Sequence, residues 1–220
     1  MSRPDIELVI FDCDGVLVDS EPIANRVFAE QLSLAGFPFT TAEAMQYLKG
    51  RSLVGCLDWL AGHFGRLPPA EFVDTLQRAT FAAYRTGLRT VEGIEEALAA
   101  IQQPICVASN SDPVKLQLTL SLGGLLARFQ GRMFSASEVP NGKPAPDLFL
   151  HAAATLQTPP AACLVVEDSP HGVAAAVAAG MRVLGYAGSD HADPEALAAL
   201  GALVFRRMAD LPGLIACGRD

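Results

Sequence analysis

Three short apolar runs along the chain are typical of strands that are buried on both faces of a sheet. They cover residues 8–11, 105–108 and 163–166, and two weaker runs follow at residues 182–185 and 202–205. Apolar positions with helical spacing fall between the later runs, at residues 94–101, 113–122, 146–156 and 172–179. Strands that alternate with helices predict an α/β fold with a doubly wound parallel sheet.

The stretch after the first predicted strand breaks this alternation. It contains no run typical of a strand and four helical patterns, at residues 23–34, 42–48, 53–64 and 69–84. A helical block inside an α/β chain indicates an inserted domain. We therefore predict a core domain formed by residues 1–15 and 88–220 and an inserted helical-bundle domain at residues 16–87.

Composition narrows the class of protein. The chain has 220 residues, of which 50% are hydrophobic and 18% charged, as in a globular protein with a large core. No apolar run approaches the roughly 18 residues that a membrane span needs, and the first run is too short for a signal peptide. We expect a cytoplasmic protein that does not bind membranes. The five cysteines are scattered without a Cys-x-x-Cys pair, which favours free thiols over a zinc site.

The charge balance bears on the kind of partner. The formal net charge is -8, which argues against nonspecific nucleic-acid binding because that requires a basic surface. A local cation site can still bind a small anion against the overall sign. The chain shows no coiled-coil heptads, and we expect a monomer.

Polar side chains follow three of the predicted strands. In an open parallel sheet, ligands bind beyond the carboxyl ends of the strands, so these side chains are candidates for one site. Two strands end in clustered carboxylates and one ends in a hydroxyl. The residues concerned are Asp12 and Asp14, Ser109 and Asn110, and Glu167 and Asp168.

Several carboxylates in one crevice repel one another. At about 4 Å, each like-charge pair costs about 4 kcal/mol at an effective dielectric constant of 20. Either some of the acids are protonated or a cation lies among them. A hard divalent ion held by carboxylate and phosphate oxygens indicates Mg2+.

Lys143 is a further candidate, because the chain has only three lysines against thirteen arginines. It lies in the turn Asn141-Gly142-Lys143-Pro144, just before the helix predicted at residues 146–156. A compact positive charge at this point can balance a carboxylate and a phosphate oxygen. A solvated loop lysine is the alternative.

These segments together resemble the four motifs of the haloacid dehalogenase-like hydrolase superfamily, in the family's order. Residues 11–20 resemble motif I, residues 107–110 motif II, and residues 142–147 motif III. Residues 165–169, continued by residues 172 and 179–181, resemble motif IV. The helical block resembles the cap domain of the beta-phosphoglucomutase-like subgroup.

The resemblance implies a phosphoryl-transfer mechanism. Asp12 is the nucleophile that forms an aspartyl-phosphate, and Asp14 is the general acid and base. Mg2+ is bound by the side chains of Asp12 and Asp168 and the carbonyl of Asp14, with Glu167 as a direct or indirect ligand. The transferring phosphoryl group is held by Ser109, Asn110 and Lys143, and the cap residues Lys49, Gly50 and Arg51 contact the rest of the substrate.

Departures from the family pattern favour one type of member. Haloacid dehalogenases lack an acid at the position of Asp14, so a phosphorylated substrate is favoured. Beta-phosphoglucomutases carry a histidine at the position of Ala24 and an arginine at the position of Leu53, although Arg51 lies nearby. We therefore expect a phosphatase of small phosphorylated metabolites, similar to the bacterial sugar-phosphate phosphatases, with 6-phosphogluconate as one candidate substrate.

Two other interpretations stay open from the sequence. One is a hexose-phosphate mutase on the same scaffold. The other is a non-catalytic phospho-receiver or binding module, which also places carboxylates, a hydroxyl and a lysine on a doubly wound sheet. The length of the chain and the helical block after the first strand disfavour a receiver module.

Overall fold

The computed structural model of the chain describes residues 5–48, 53–189 and 192–217. These residues form two compact units. One comprises the chain up to Asp19 together with the chain from Arg89 onward, and the other comprises Ser20–Leu88. The first unit is built on a sheet and the second on helices, and they are called here the sheet unit and the helical unit.

The sheet unit contains six parallel strands in the order β3-β2-β1-β4-β5-β6. The strands are β1 (Leu8–Phe11), β2 (Ile105–Ser109), β3 (Met133–Ser135), β4 (Cys163–Glu167), β5 (Arg182–Tyr186) and β6 (Leu203–Phe205). The order reverses between β1 and β4, because the chain first adds strands on one side of β1 and then on the other. The predicted doubly wound α/β fold is confirmed, and the point of reversal is where such sheets bind ligands.

Seven helices accompany these strands in the described part of the sheet unit. They are α5 (Ile94–Ala100), α6 (Pro113–Leu122), α7 (Leu126–Phe129), α8 (Asp147–Thr155), α9 (Pro170–Ala178), α10 (Pro194–Ala199) and α11 (Leu211–Cys217). Helices α8 and α9 pack on the sheet, α8 against β1, β2 and β3 and α9 against β4 and β5. Alanines 152, 153, 175 and 176 are almost fully buried at these contacts, because their small side chains let helix and sheet approach closely.

The helical unit contains α1 (Glu21–Leu34), α2 (Thr41–Leu48), α3 (Leu53–Phe64) and α4 (Phe72–Gly87). Its core is built around Leu32, Phe37 and Leu60, which are fully buried. Trp59 packs against this core and stacks between Tyr47 and His63, with ring centroids 5.3 and 4.5 Å away. Trp59 is therefore half-buried and packs against the core of this unit.

The sheet unit of the structure includes the chain through Asp19, beyond the domain boundary predicted at residue 15. Leu17 and Val18 are fully buried, and Val18 forms isolated bridges with Asp14 and with Thr90. The main-chain N–H of Asp19 donates to the carbonyl of Arg89 at 2.9 Å. The end of motif I is thus paired with the segment that re-enters the sheet unit.

Among the described helices, none combines the length and the apolar character that crossing a bilayer requires.

A matched pair of substitutions tests the buried sheet. Val165 on β4 is fully buried, whereas Val114 on α6 is 66% exposed. We expect Val165→Ala to lower the free energy of unfolding by about 2 kcal/mol, because it removes packed methyl groups and leaves a cavity. Val114→Ala should change it by less than about 0.5 kcal/mol. Urea unfolding followed by circular dichroism measures both, and equal effects would contradict the buried position of Val165.

Candidate active site

Three carboxylates meet where β1 and β4 end side by side. Phe11 of β1 pairs with Val166 of β4, and the N–H of Asp12 donates to the carbonyl of Val166 at 3.0 Å. One oxygen each of Asp12, Glu167 and Asp168 lies within 4.8 Å of the others. The structure therefore brings together the acids that follow two separate strands of the chain.

Lys143 lies between two of these acids. Its Nζ is 2.5 Å from Oδ1 of Asp12 and 2.7 Å from Oε1 of Glu167, and its side chain is only 3% exposed. The ammonium also lies 4.8 Å from the centre of the Phe149 ring, which supports it from α8. Lys143 is a buried partner of two carboxylates and not a solvated loop lysine.

Asn110 holds the main chain of Lys143 at two points. Its Oδ1 accepts from the N–H of Lys143 at 2.9 Å, and its Nδ2 donates to the carbonyl of Lys143 at 3.0 Å. A Cβ on Gly142 would lie 2.7 Å from the same Oδ1, so the loop passes Asn110 too closely for a side chain there. The sequence predicts Asn110 as a substrate ligand, and that stays a prediction; in the structure its amide positions the lysine loop.

Glu167 is the most heavily hydrogen-bonded of the three acids. Its Oε2 accepts from the N–H groups of Asp168 and Ser169 and from Oγ of Ser169, each at 3.0 Å, while Oε1 pairs with Lys143. Ser169 also caps α9 by accepting from the N–H of Gly172. The three donors from Asp168 and Ser169 thus fix Glu167 and, through it, the ammonium of Lys143.

Two glycines make room for the acids. A Cβ on Gly15, whose φ is +81°, would lie 2.0 Å from Oδ2 of Asp168. A Cβ on Gly172 would lie 1.8 Å from Oε1 of Glu167. Both glycines are required by close approach to a carboxylate, which explains their place in the motifs.

The electrostatics of the site follow from two carboxylates that share one ammonium. The pKa of Asp12 is raised from 3.8 to about 7, chiefly by burial; Lys143 opposes this rise, and Glu167 and Asp14 add to it. Burial lowers the pKa of Lys143, but the carboxylates of Asp12 and Glu167 outweigh burial and raise it above its ordinary value. The neighbouring carboxylates thus raise the pKa of both Asp12 and Lys143.

Asp14 is held separately from Asp12. Its Oδ2 accepts from Oγ of Ser111 at 2.7 Å and lies 2.9 Å from Nζ of Lys115. The side chains of Asp14 and Lys115 are 23% and 26% exposed, so this pair lies at the surface of the sheet unit. The two aspartates of motif I consequently have different partners and different exposure.

Ser109 lies at the last position of β2 and is 2% exposed. Its Oγ accepts from the N–H of Ser111 at 3.1 Å, so the hydroxyl organises the loop that follows the strand. Cys13 is fully buried, and burial raises the pKa of its thiol well above the ordinary value. Burial therefore disfavours the reactive thiolate form of Cys13.

The predicted cap residues Lys49, Gly50 and Arg51 lie outside the described residues.

The donor set fits a divalent metal ion. Oxygen atoms of three acids converge within 4.8 Å with a single ammonium between two of them, which leaves an excess of negative charge. Hard cations such as Mg2+ take carboxylate and carbonyl oxygens as ligands. A bound cation would also favour the ionised form of Asp12, which the burial of this side chain opposes.

Comparison with known proteins agrees with this geometry. A model of haloacid dehalogenase-like hydrolases matches residues 6–180. The chain belongs to this hydrolase family. It is 32% identical over 195 residues to 6-phosphogluconate phosphatase of Escherichia coli K12. The aligned segment covers 88% of this chain and 87% of that protein. Family membership and this similarity identify the chain as a hydrolase of the phosphatase type.

Solved structures of other family members share the architecture. A family hydrolase from Deinococcus radiodurans, solved with bound phosphate and sodium, has a TM-score of 0.82 and 35% identity and covers 99% of this chain and 97% of that one. A candidate beta-phosphoglucomutase from Thermotoga maritima has a TM-score of 0.81 and 26% identity and covers 96% and 99% of the two chains.

Three polar residues of this hydrolase's site were not predicted from the sequence. Ser111 and Lys115 contact Asp14, and Oγ of Ser135 donates to the carbonyl of Ser111 at 2.8 Å. Serines near strand ends are common, so they carry no signal by themselves. The rarity of lysine and the position of Lys115 in the first turn of α6 are the signals that would have found it.

The crowding at Gly172 gives a stability prediction. Gly172→Ala should lower the free energy of unfolding by about 2 kcal/mol, because its Cβ would collide with Glu167. Gly213→Ala on α11 is the control, since nothing lies within 4 Å of its Cβ. In a Glu167→Ala background the Gly172 substitution should instead gain up to about 1 kcal/mol as an ordinary helix substitution. An equal loss of unfolding free energy in the Glu167→Ala background would contradict a collision between the new Cβ and Glu167.

The raised pKa of Asp12 gives a pH prediction for the metal-free protein. A carboxyl with a higher pKa in the folded state destabilises that state increasingly as the pH rises from 3.8 to about 7. Asp12→Asn should therefore raise the melting temperature more at pH 8 than at pH 4, with EDTA present at both. A gain that does not depend on pH would contradict a raised pKa.

Proposed function

We propose that this hydrolase is a Mg2+-dependent phosphatase that forms an aspartyl-phosphate on Asp12. The observation that carries the proposal is the contact of Lys143 with both Asp12 and Glu167, beside Asp168, where β1 and β4 end. A buried carboxylate oriented by an ammonium, next to a second acid with separate partners, is the arrangement that covalent phosphoryl transfer requires.

The first step transfers the phosphoryl group to the enzyme. A carboxylate oxygen of Asp12 attacks phosphorus and forms a new P–O bond, while the bond from phosphorus to the leaving oxygen breaks. Asp14 donates its proton to that oxygen, so the product leaves as an alcohol and Asp14 becomes a carboxylate. Ser109 and Lys143 hold the oxygens of the transferring group, and Asn110 keeps Lys143 in place.

The second step releases phosphate. Asp14 takes a proton from a water molecule, whose oxygen attacks phosphorus. The bond between phosphorus and Asp12 breaks, which returns Asp12 as a carboxylate and Asp14 as an acid. In both steps Asp12 forms or loses the bond to phosphorus, while Asp14 gives or takes a proton. Their different surroundings suit these different roles.

The metal ion would be held by the side chains of Asp12 and Asp168 and by the carbonyl of Asp14. When bound, Mg2+ neutralises charge on the phosphoryl oxygens. Both oxygens of Glu167 already accept hydrogen bonds, four in all, and this favours Glu167 as the group that orients Lys143 rather than as a direct ligand.

The substrates that we propose are small phosphorylated metabolites, in particular sugar phosphates such as 6-phosphogluconate. The similarity to 6-phosphogluconate phosphatase over most of both chains supports this class. The phosphate bound in the Deinococcus structure supports a phosphorylated ligand. Lys49, Gly50 and Arg51 remain the proposed contacts to the part of the substrate beyond the phosphoryl group.

A hexose-phosphate mutase is the second candidate, because the Thermotoga protein has the same fold. A mutase must return the phosphoryl group to sugar and exclude water, whereas a phosphatase must admit water. Ala24 has no polar side chain where mutases of this family carry a histidine, and this favours hydrolysis. A non-catalytic receiver or binding role has no support from the relatives named above.

The activity prediction uses a panel of sugar phosphates and p-nitrophenyl phosphate. We expect release of inorganic phosphate with Mg2+ and its loss in EDTA. Asp12→Asn should lower kcat by at least about a thousandfold, because no covalent intermediate can form. Asp74→Asn, a change at an exposed aspartate of α4, should leave kcat within about twofold.

Three measurements separate the alternatives. Acid-quenched wild-type enzyme should carry one phosphoryl group on the peptide that contains Asp12. An isomerised sugar phosphate with little free phosphate would favour the mutase. Full activity of Asp12→Asn, or no turnover of any substrate with Mg2+, would contradict the proposal.

A further inference from the structure

The carboxylate of Asp14 is held by two side chains that follow β2. Nζ of Lys115 lies 2.9 Å from Oδ2 of Asp14, and Oγ of Ser111 donates to the same oxygen at 2.7 Å. Two donors on one carboxylate oxygen restrict the rotation of the whole group. The side chain of Asp14 therefore has a defined orientation within the sheet unit.

The position of Lys115 is unfavourable for helix α6 itself. Asp112 is the N-cap of α6 and accepts from the N–H of Lys115 at 3.0 Å, so Lys115 is in the first turn. The helix dipole disfavours a cation there and favours an acid. A partly exposed ion pair also adds little to the stability of the fold. The contact with Asp14 therefore accounts for Lys115 better than helix or fold stability does.

Ser111 is fixed through its main chain. Its N–H donates to Oγ of Ser109 at 3.1 Å, and its carbonyl accepts from Oγ of Ser135 at 2.8 Å. Ser109 and Ser135 are both buried, at 2% and 1% exposure. The hydroxyl that contacts Asp14 is consequently placed by two buried residues at the ends of β2 and β3.

We propose that Lys115 and Ser111 are positioning residues that anchor Oδ2 of Asp14, so that Oδ1 is the oxygen that gives and takes the proton. The inference rests on the proposed phosphatase function. Oδ2 can accept both hydrogen bonds whether or not Oδ1 carries a proton, so the anchor persists through both steps. The proton passes from Oδ1 to the leaving oxygen in the first step and returns to Oδ1 from water in the second.

Two substrates with different leaving groups can distinguish an effect on the proton of Asp14 from an effect on binding of the phosphoryl group. A sugar alkoxide is a poor leaving group and needs a proton as its bond to phosphorus breaks. A p-nitrophenolate leaves without one. Loss of the anchor should therefore reduce the transfer from a sugar phosphate and spare the transfer from p-nitrophenyl phosphate. The ratio kcat/KM reports this step, because it includes the reaction only up to formation of the phosphorylated enzyme.

The experiment measures kcat/KM for both substrate types with the full chain and Mg2+. The sugar phosphate is the one that the wild type hydrolyses fastest in the panel. We expect Lys115→Met to lower kcat/KM about 30-fold on the sugar phosphate and less than about 3-fold on p-nitrophenyl phosphate. Ser111→Ala should show the same bias to a smaller extent.

Two further variants control for charge and shape. Lys115→Arg keeps a donor and a positive charge within reach of Asp14, so it should recover most of the lost kcat/KM. Arg128→Met removes one positive charge from an exposed position of α7. It should leave kcat/KM on each of the two substrates within about twofold of the wild-type value. The urea midpoint of Lys115→Met should match that of the wild type.

The outcomes distinguish the inference from the function on which it rests. Equal losses on the two substrates, or no loss on either, would overturn the positioning of Asp14 while leaving the phosphatase function in place. No turnover of either substrate by the wild type would overturn the proposed function and this inference with it. A selective loss on the sugar phosphate that Lys115→Arg restores would support both.

Discussion

The site depends on one buried ammonium that two carboxylates share. Among the residues that the structure describes, Lys143 is the one cation paired with both Asp12 and Glu167, and at 3% exposure of its side chain water does little to weaken the interaction. Much of the surrounding structure serves to keep that ammonium in place. Asn110 clamps its main chain, Phe149 supports its side chain, and three other donors fix Glu167. A site of this kind is costly to assemble, since each charge must be removed from water before the pairing returns any energy.

The fold supplies the meeting point. Because β1 and β4 are neighbours although some 150 residues separate them, the acids of motifs I and IV end at the same edge of the sheet. Motif II, at the end of β2, contributes in a less direct way. Its Asn110 holds the lysine loop, and its Ser109 orders the turn toward α6. The chemistry is therefore distributed over separate loops that one rigid sheet keeps in register.

The sequence predicts the strongly patterned parts of this structure and misses the weak ones. Uninterrupted apolar runs and helical spacing place β1, β2, β4 and α1 to within a few residues. Strand β3 and the short helices α7, α10 and α11 carry too few residues for a period to show. In the site, residue type and order suggest Asp12, Lys143 and Asp168, because few other residues can perform that chemistry. The clamp by Asn110 and the contacts of Ser111 and Lys115 depend on side-chain geometry across distant loops, which spacing along a chain does not encode.

The glycines around the site have a consequence for how such a protein can diversify. At Gly15, Gly142 and Gly172, even a methyl group would lie within 3 Å of Asp168, Asn110 or Glu167. A side chain at any of these three positions therefore requires its neighbour in the site to move or to be replaced as well. Substitutions that change which substrate is recognised are therefore easier at less crowded positions than beside the three acids of the site.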